Sequence, residues 1–190
     1  MEVNAVFLGK SSGKSSLLVR KCSGEFSWVF DPTIEDSYKV SVEVDGRVTH
    51  FNITDTSGQE EFYPIVRTYI RTSKVIVFVF CIFNRWTFDE LPPLVWITHE
   101  DFEEDSKVRI LVGTGIDREE ERAVTREEAE AYARAHGMRY IETSARTNQN
   151  VDELFELMAR EYNNKLASTP PPVQRKKKES NSGEGLCTIF

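Results

Sequence analysis

The hydrophobic positions of the chain change period several times, and each change predicts a new secondary-structure element. Residues 3–8 form a short apolar run that ends in glycine, and 15–22 follow with the spacing of an amphipathic helix. Apolar and polar residues alternate over 40–44, and a second strand-like run covers 48–53 after Asp45-Gly46. Two such runs joined by Asp-Gly predict a β-hairpin with a type I′ turn.

The second half of the chain continues this alternation of strands and helices. Continuous apolar runs at 74–83 and 108–113 are typical of strands that are buried on both faces of a parallel sheet. The pattern between them, 87–102, is helical, although Pro92-Pro93 should delay or kink that helix. Two more helices and a strand are predicted, namely a helix from the capping box at Thr125 to His136-Gly137, a strand at 138–142 and a helix from Asn150 to Tyr162.

This order predicts an α/β fold with a six-stranded, mostly parallel sheet. One antiparallel strand comes from the hairpin, and right-handed crossovers place helices on both faces of the sheet. Ligands of such folds bind at the carboxyl ends of the strands. The residues that follow each predicted strand are therefore the first place to look for chemistry.

Composition and charge fit one soluble domain with a tail. The chain has 190 residues, of which 39% are hydrophobic and 29% are charged, so we expect a folded domain over 1–167. Residues 168–190 are rich in proline, then basic at Arg175–Lys178, then rich in serine, asparagine and glycine, which predicts a flexible tail. The net charge of −7 argues against binding to nucleic acid, because phosphate contacts need a cationic face.

The cysteines and the apolar segments restrict the environment of the protein. Cys22, Cys81 and Cys187 lie far apart, which predicts neither a disulfide framework nor a zinc site and fits a reducing, cytosolic compartment. No segment reaches the roughly 18 apolar residues that span a bilayer. Any attachment to a membrane would therefore be added chemically.

The first predicted strand is followed by a candidate phosphate-binding loop, Gly9-Lys10-Ser11-Ser12-Gly13-Lys14-Ser15. Such a loop needs glycines that let backbone N–H groups surround the phosphates, a lysine for the outer phosphates, and a hydroxyl for Mg²⁺. The spacing is one residue shorter than the standard Gly-x₄-Gly-Lys-Ser/Thr. A glycine- and serine-rich turn before a helix is also an ordinary loop, so this motif alone leaves two interpretations open.

Further polar residues follow the second strand of the hairpin, in the run Asp55-Thr56-Ser57-Gly58-Gln59-Glu60. A carboxylate here could hold Mg²⁺ through water, a glycine amide could contact a terminal phosphate, and a glutamine could orient water. Upstream, Thr33 offers a second hydroxyl just before a strand.

Three motifs, FDPTIEDSY, DTSGQEEF and ETSA, stand in register around the candidate loop. From Val3 to about Ala167 the chain resembles the small GTPases of the Ras family, which implies the P-loop NTPase fold. Their catalytic roles then fall on Lys14 at the outer phosphates, Gly58 with its amide at the γ-phosphate, Gln59 positioning the attacking water, and Thr33. Ser15 and Thr33 would ligate Mg²⁺ directly, and Asp55 would hold it through water.

The resemblance also implies a set of nucleotide-binding residues. Phe26 would pack edge-on against guanine, Phe30 stands where a tyrosine usually closes over the nucleotide, and the Ala145 amide would meet the guanine oxygen. The remaining residues of this set are Gly9, Lys10, Ser11, Ser12, Gly13, Lys14, Ser15, Ser16, Thr33, Gly58, Thr114, Asp117 and Ser144. Loss of the γ-phosphate after in-line hydrolysis would release two loops, 27–37 and 56–66.

The chain departs from the family pattern at the guanine motif Asn-Lys-x-Asp, where it has Thr114-Gly115-Ile116-Asp117. Asp117 keeps the two acceptors for the guanine edge, although an aspartate here could also serve only as a loop cap. Gly115 has no stem to cover the base, and Thr114 cannot make the amide contacts of asparagine. Each loss could cost about 1–2 kcal/mol, or roughly one to three decades of affinity together.

The phosphate loop departs from the pattern as well. Its shortening removes one backbone amide, and Lys10, Ser11 and Ser12 place larger side chains where the family has small residues near the γ-phosphate. These side chains could obstruct Gln59 and an incoming arginine finger. Ser57, where alanine is common, is a milder change.

The last four residues, Cys187-Thr188-Ile189-Phe190, have the form of a prenylation signal, and a terminal Phe favours geranylgeranyl. A chance cysteine is the alternative interpretation. One lipid binds only marginally, so the basic cluster at 175–178 would act as the second membrane signal. We expect the protein at the cytoplasmic face of the plasma membrane or an endomembrane.

Two functions remain open from the sequence. The first is a monomeric, membrane-tethered switch that binds GTP and GDP with Mg²⁺, hydrolyses GTP slowly, and meets exchange factors, GTPase-activating proteins and effectors. Its effector face would be Thr33, Ile34, Glu35, Asp36, Ser37 and Tyr38, whose acidity predicts a partner with a basic strand. The second is a pseudo-GTPase interaction module, which Thr114, Gly115 and the short loop favour and which Lys14, Thr33, Asp55 and Gln59 oppose.

Overall fold

The structure is a computed structural model that describes residues 2–26, 35–56, 58, 63–100 and 107–168. Its six strands are β1 (Glu2–Leu8), β2 (Glu35–Val44), β3 (Arg47–Thr56), β4 (Val75–Cys81), β5 (Val108–Thr114) and β6 (Arg139–Thr143). They form one sheet in the order β2-β3-β1-β4-β5-β6. The β2–β3 pair is antiparallel and the other four pairs are parallel, which confirms the predicted α/β class and sheet.

Helices cover both faces of the sheet, as predicted. They are α1 (Lys14–Ser23), α2 (Tyr63–Thr72), α3 (Arg85–Asp89), α4 (Leu91–Glu100), α5 (Arg126–Ala135) and α6 (Val151–Ser168), with a 3₁₀ helix at Ile116–Glu121. The buried side chains of α1 and α6 pack on one face, where the rings of Phe7 and Phe155 stack 6.3 Å apart. Helices α2 to α5 pack on the other face, where the Phe80 and Phe88 rings meet edge to face at 4.9 Å.

Local sequence signals set several element ends as expected. Asp45 and Gly46 both have positive φ, 53° and 72°, which confirms the type I′ turn. The Thr125 hydroxyl accepts a hydrogen bond from the Glu128 amide at 3.2 Å and caps α5. The delay expected from Pro92-Pro93 is confirmed, because α3 ends at Asp89 and a separate helix, α4, begins at Leu91 with both prolines in its first turn. Prolines are tolerated there, since the N–H groups they lack have no partner within the helix.

Strand β2 is longer than the hydrophobic pattern predicts. It begins at Glu35 rather than Val40, so three residues of the predicted loop 27–37 lie in a strand. Asp36 pairs with Asp55 and Ser37 with Thr54, which holds this polar stretch against the buried strand β3. Helix α2 likewise starts at Tyr63, inside the predicted loop 56–66, and α6 continues past Tyr162 to Ser168.

The topology brings the carboxyl ends of five strands to one edge of the sheet. Strands β1, β3, β4, β5 and β6 run parallel, so the segments after them meet at this edge. A tail at 168–190 stays a prediction, because 169–190 lie outside the described residues. Among the helices of the described part, none combines the length and the apolar character needed to cross a bilayer.

Candidate nucleotide-binding site

The candidate phosphate loop after β1 turns through three residues with positive φ. Gly9, Ser11 and Gly13 all have positive φ, 140°, 44° and 80°. A Cβ atom on Gly9 would lie 2.1 Å from the Val79 carbonyl oxygen, so only glycine fits there. Backbone that alternates through left-handed residues forms a concave set of N–H groups suited to anions. Gly13 then starts α1, where its carbonyl accepts from the Leu17 amide at 3.1 Å.

The lysine and the hydroxyl of the loop lie beside the carboxylate at the end of β3. Lys14 is buried, and its ammonium donates to the Gly9 carbonyl at 2.7 Å. Burial lowers the pKa of Lys14, and the charge of Asp55 acts in the opposite direction. The Ser15 hydroxyl donates a hydrogen bond to Asp55 Oδ2. Lys14 and Ser15 of the loop therefore form one cluster with Asp55, which was predicted from a separate motif.

Asp55 is fully buried, and its second carboxylate oxygen, Oδ1, has no hydrogen-bond partner among the residues that the structure describes. Burial raises the pKa of Asp55, whereas Lys14 and the Ser15 hydroxyl lower it. A buried carboxylate oxygen without a partner, next to a hydroxyl, is a set of hard oxygen donors that suits Mg²⁺. The residues present thus fit the predicted metal, while Thr33 lies outside the described ranges.

Gly58 lies directly against the phosphate loop. A Cβ atom at this position would come within 2.6 Å of Lys10 Cα and 2.7 Å of the Gly9 carbonyl oxygen. Both atoms belong to the backbone, which cannot rotate away as a side chain could. Gly58 therefore packs against the loop that is predicted to hold the phosphates.

The side chain of Lys10 has a partner outside the loop. Its ammonium forms an ion pair with Glu90 at 2.5 Å and lies 5.9 Å from the centroid of the Trp86 ring. The obstruction expected from Lys10 would thus require this ion pair to break. Ser11 is exposed and Ser16 is half-buried, while the buried Ser12 hydroxyl has no partner within the described part of the chain.

Thr114 connects the guanine motif with the phosphate loop. Its buried hydroxyl lies 2.7 Å from the Ser12 carbonyl oxygen and 3.1 Å from that of Phe80, and it can donate to either. The sequence indicated only the loss of the amide contacts of asparagine at this position. The structure adds that a shorter hydroxyl reaches the loop, because β5 ends directly beside it.

The segments after β5 and β6 hold the residues that are predicted to bind guanine. Asp117 Oδ1 accepts a hydrogen bond from the Ser144 hydroxyl at 2.6 Å, and Oδ2 lies 3.4 Å from Nη1 of Arg146. Ser144 is itself fixed by a bond from its amide to the Gln149 carbonyl at 2.9 Å. Asp117 therefore bonds to a neighbouring loop, which orients its carboxylate.

Helix α1 contributes a contact that the sequence did not reveal. Arg20 donates from Nε to the Ala145 carbonyl at 2.6 Å and from Nη2 to the Arg146 carbonyl at 2.9 Å. Phe26, half-buried, follows the end of the same helix. Several predicted residues lie outside the described ranges, namely Phe30, Thr33, Ile34, Gln59 and Cys187.

Comparison with known proteins is consistent with this site. The sequence profile of the Ras family matches residues 4–164. Ras-like protein RAS2 of Hydra vulgaris is 37% identical over 172 residues, which cover 90% of this chain and 88% of that protein. Ras-related protein R-Ras of Homo sapiens is 37% identical over 173 residues, covering 89% and 79%. Protein ras-1 of Neurospora crassa is 38% identical over 153 residues, covering 80% and 72%. With the profile spanning most of the chain and relatives matched along most of their own length, the chain belongs to the Ras family of small GTPases.

Proposed function

We propose that this chain is a guanine-nucleotide switch that binds GTP and GDP with Mg²⁺ and slowly hydrolyses GTP to GDP. The observation that carries the proposal is the cluster at the carboxyl edge of the sheet. There a buried lysine, a helix-start hydroxyl and a buried carboxylate with one oxygen lacking a described partner surround a phosphate-loop backbone. A bound Mg²⁺ ion and phosphate would give each of these three groups a partner.

At the phosphate end, each residue has one task. Lys14 would exchange its bond with the Gly9 carbonyl for phosphate oxygens, and its low exposure would strengthen that attraction. Ser15 and Thr33 would ligate Mg²⁺ directly, and Asp55 would hold it through water. When bound, the metal ion supplies neutralisation of the charge that builds up on the β- and γ-phosphates.

Hydrolysis depends on two residues after β3. Gly58, which touches the loop, would give its amide to the γ-phosphate, and Gln59 would orient the attacking water. Neither residue changes its covalent bonds, so catalysis comes from positioning and charge stabilisation. This is why we expect a slow intrinsic rate that GTPase-activating proteins would increase.

At the base end, Asp117 would select guanine. Its two carboxylate oxygens are acceptors for the N1–H and N2–H₂ groups of that base. The bond from the Ser144 hydroxyl fixes the carboxylate before the nucleotide arrives. The Ala145 amide would contact the guanine oxygen, on a loop that Arg20 supports.

The effector face would be the start of β2 with the residues before it. In the described sheet, β2 is an edge strand with β3 as its only neighbour, and Asp36 and Ser37 are exposed. An edge strand offers unpaired backbone groups to a partner strand, and Asp36 favours a basic one. Exchange factors would act on the same nucleotide-dependent segments.

The tail would attach the switch to the cytoplasmic face of a membrane through a prenyl group on Cys187 and the basic residues 175–178. Cys187→Ser should move the protein from the membrane to the soluble fraction. An unchanged distribution would exclude lipid attachment at this cysteine.

One experiment tests the core of the proposal. Freshly purified protein is denatured, and the supernatant is chromatographed for GDP and GTP. Stoichiometric guanine nucleotide supports the switch, whereas no nucleotide, together with no GTP binding at micromolar protein in Mg²⁺, would support a pseudo-GTPase. Single-turnover hydrolysis by wild type and Gln59→Leu then tests the chemistry, and equal rates would remove Gln59 from its role.

A further inference from the structure

The glycine at position 115 does not leave empty space beside the base-binding residues. A Cβ atom on Gly115 would lie 2.4 Å from Cε1 and 2.8 Å from Cδ1 of Phe83. These distances are far below van der Waals contact. The Phe83 ring therefore fills the volume that a side chain at position 115 would enter.

Packing and backbone bonds hold the ring in this place. Phe83 follows β4, and the amide of the preceding residue, Ile82, donates to the Thr114 carbonyl at 3.0 Å. The ring is half-buried and packs against the core between the sheet and helices α2 to α5. On the ring, the guanidinium carbon of Arg118 lies 3.7 Å from the centroid, and Nε of Arg118 donates to Glu121 at 2.7 Å.

The stack lies beside the residue that would read the base. Arg118 directly follows Asp117, and both line a groove of about 500 Å³. The other lining residues are Arg146 and three glutamates, Glu119, Glu120 and Glu121. Asp117 is held by Ser144, and Arg146 lies 3.4 Å from its carboxylate. An aromatic–guanidinium pair, an oriented carboxylate and a second arginine thus stand together at one edge of the sheet.

We propose that the Phe83–Arg118 stack is the surface on which the guanine base packs in this chain, in place of the missing stem at position 115. The proposal rests on the proposed function, because it names a further residue of the same nucleotide site. Guanidinium groups stack on any base, so Arg118 contributes affinity from its place on the Phe83 ring, while Asp117 contributes selectivity.

The test is the affinity of the full chain, with Mg²⁺, for GDP and for inosine diphosphate, measured by calorimetric titration of the nucleotide-free protein. Inosine lacks the 2-amino group that Asp117 would bind. Phe83→Leu keeps an apolar side chain but removes the aromatic face on which the Arg118 guanidinium lies. It should weaken the binding of GDP and of inosine diphosphate by the same factor, roughly 5- to 100-fold. Asp117→Asn should instead reduce the preference for GDP over inosine diphosphate.

The matched control is Phe88→Leu. Phe88 is a buried aromatic residue of the same core that contacts Phe80. Its replacement should lower the free energy of unfolding and leave GDP affinity unchanged. If wild type binds GDP and Phe83→Leu binds it equally well, Phe83 only fills space and the inference is overturned. If wild type binds no guanine nucleotide, the proposed function itself fails.

A compensating pair tests the geometry without relying on one variant. Gly115→Lys alone should bind GDP poorly, because its side chain meets the Phe83 ring. Phe83→Ala alone should also bind poorly, because the stack is gone. The double variant should bind GDP more tightly than Gly115→Lys, which carries the same strained φ of 86°, since the lysine stem can then occupy the freed volume. Affinity no better than that of Gly115→Lys would contradict the shared position of ring and stem.

Discussion

Replacing Thr114 with valine removes one hydroxyl and keeps nearly the same side-chain shape. The variant removes a buried hydroxyl that lies 3.1 Å from the Phe80 carbonyl oxygen and donates at the shorter distance of 2.7 Å to the Ser12 carbonyl. When a buried carbonyl loses its hydrogen-bond donor, the folded state is destabilised by about 1–3 kcal/mol. Because this carbonyl belongs to the phosphate loop, we expect GDP to bind roughly 5- to 150-fold more weakly, together with a lower free energy of unfolding.

Thr143 provides a matched control for this substitution. It is fully buried on the neighbouring strand β6, yet its hydroxyl has no partner among the residues described. Thr143→Val removes no hydrogen bond there and should be at least as stable as wild type. The rate of GDP dissociation and the free energy of unfolding in urea are measured for both variants. If Thr114→Val and Thr143→Val behave alike, the Thr114 hydroxyl does not anchor the loop.

Three further predictions concern the loop contact, the buried acid and the end of α2. Gly58→Ala places a methyl group 2.6 Å from Lys10 Cα, so nucleotide-binding assays should show a greater loss for GTP than for GDP. Gly46→Ala, which has positive φ but open space, should leave both affinities unchanged, and equal losses in the two variants would contradict the contact. In EDTA, urea unfolding of wild type should show a contribution from Asp55 that is present at acidic pH and lost as pH rises through its raised pKa, because the buried charge is costly. Asp55→Asn should lack this pH dependence and should also lose the stabilisation by Mg²⁺. If Mg²⁺ stabilises the variant as much as wild type, Asp55 does not belong to the metal site. Lys107→Met removes three hydrogen bonds of 2.6–3.0 Å to carbonyls at the end of α2, so unfolding should cost about 2–4 kcal/mol less and hydrogen exchange in α2 should accelerate. Unchanged exchange there would show that the ammonium does not hold the helix end.

The parts of the fold that the sequence predicted correctly are those specified by local chemistry. Asp45-Gly46 fits the positive φ angles of its turn, and Thr125 meets its amide partner three residues later. The polar start of β2 has no such signal. Its strand conformation comes from pairing with β3, which hydrophobic periodicity does not report.

In the candidate site, too, the residues of local motifs could be predicted from the sequence, whereas contacts between distant residues could not. Lys14 and Ser15 follow from a loop whose backbone requirements are visible in the sequence, and the structure places Asp55 beside them. The partners of Lys10 and the ring beside Gly115 could not be predicted. Glu90 lies 80 residues from Lys10 along the chain, and Phe83 reaches position 115 only because neighbouring strands end together.

Helix α1 acts as a spacer between the two ends of the site. Its first residue, Lys14, belongs to the candidate phosphate loop. Arg20 on the same helix donates a hydrogen bond to the carbonyl of Ala145, in the loop after β6 that is predicted to contact the base. These residues are six positions apart, which is about 9 Å along the axis of a rigid α-helix. A residue missing from the loop before the helix leaves that separation unchanged. The left-handed residues Gly9, Ser11 and Gly13 all lie before the helix, so the separation of Lys14 and Arg20 is set by the helix, not by the length of the loop.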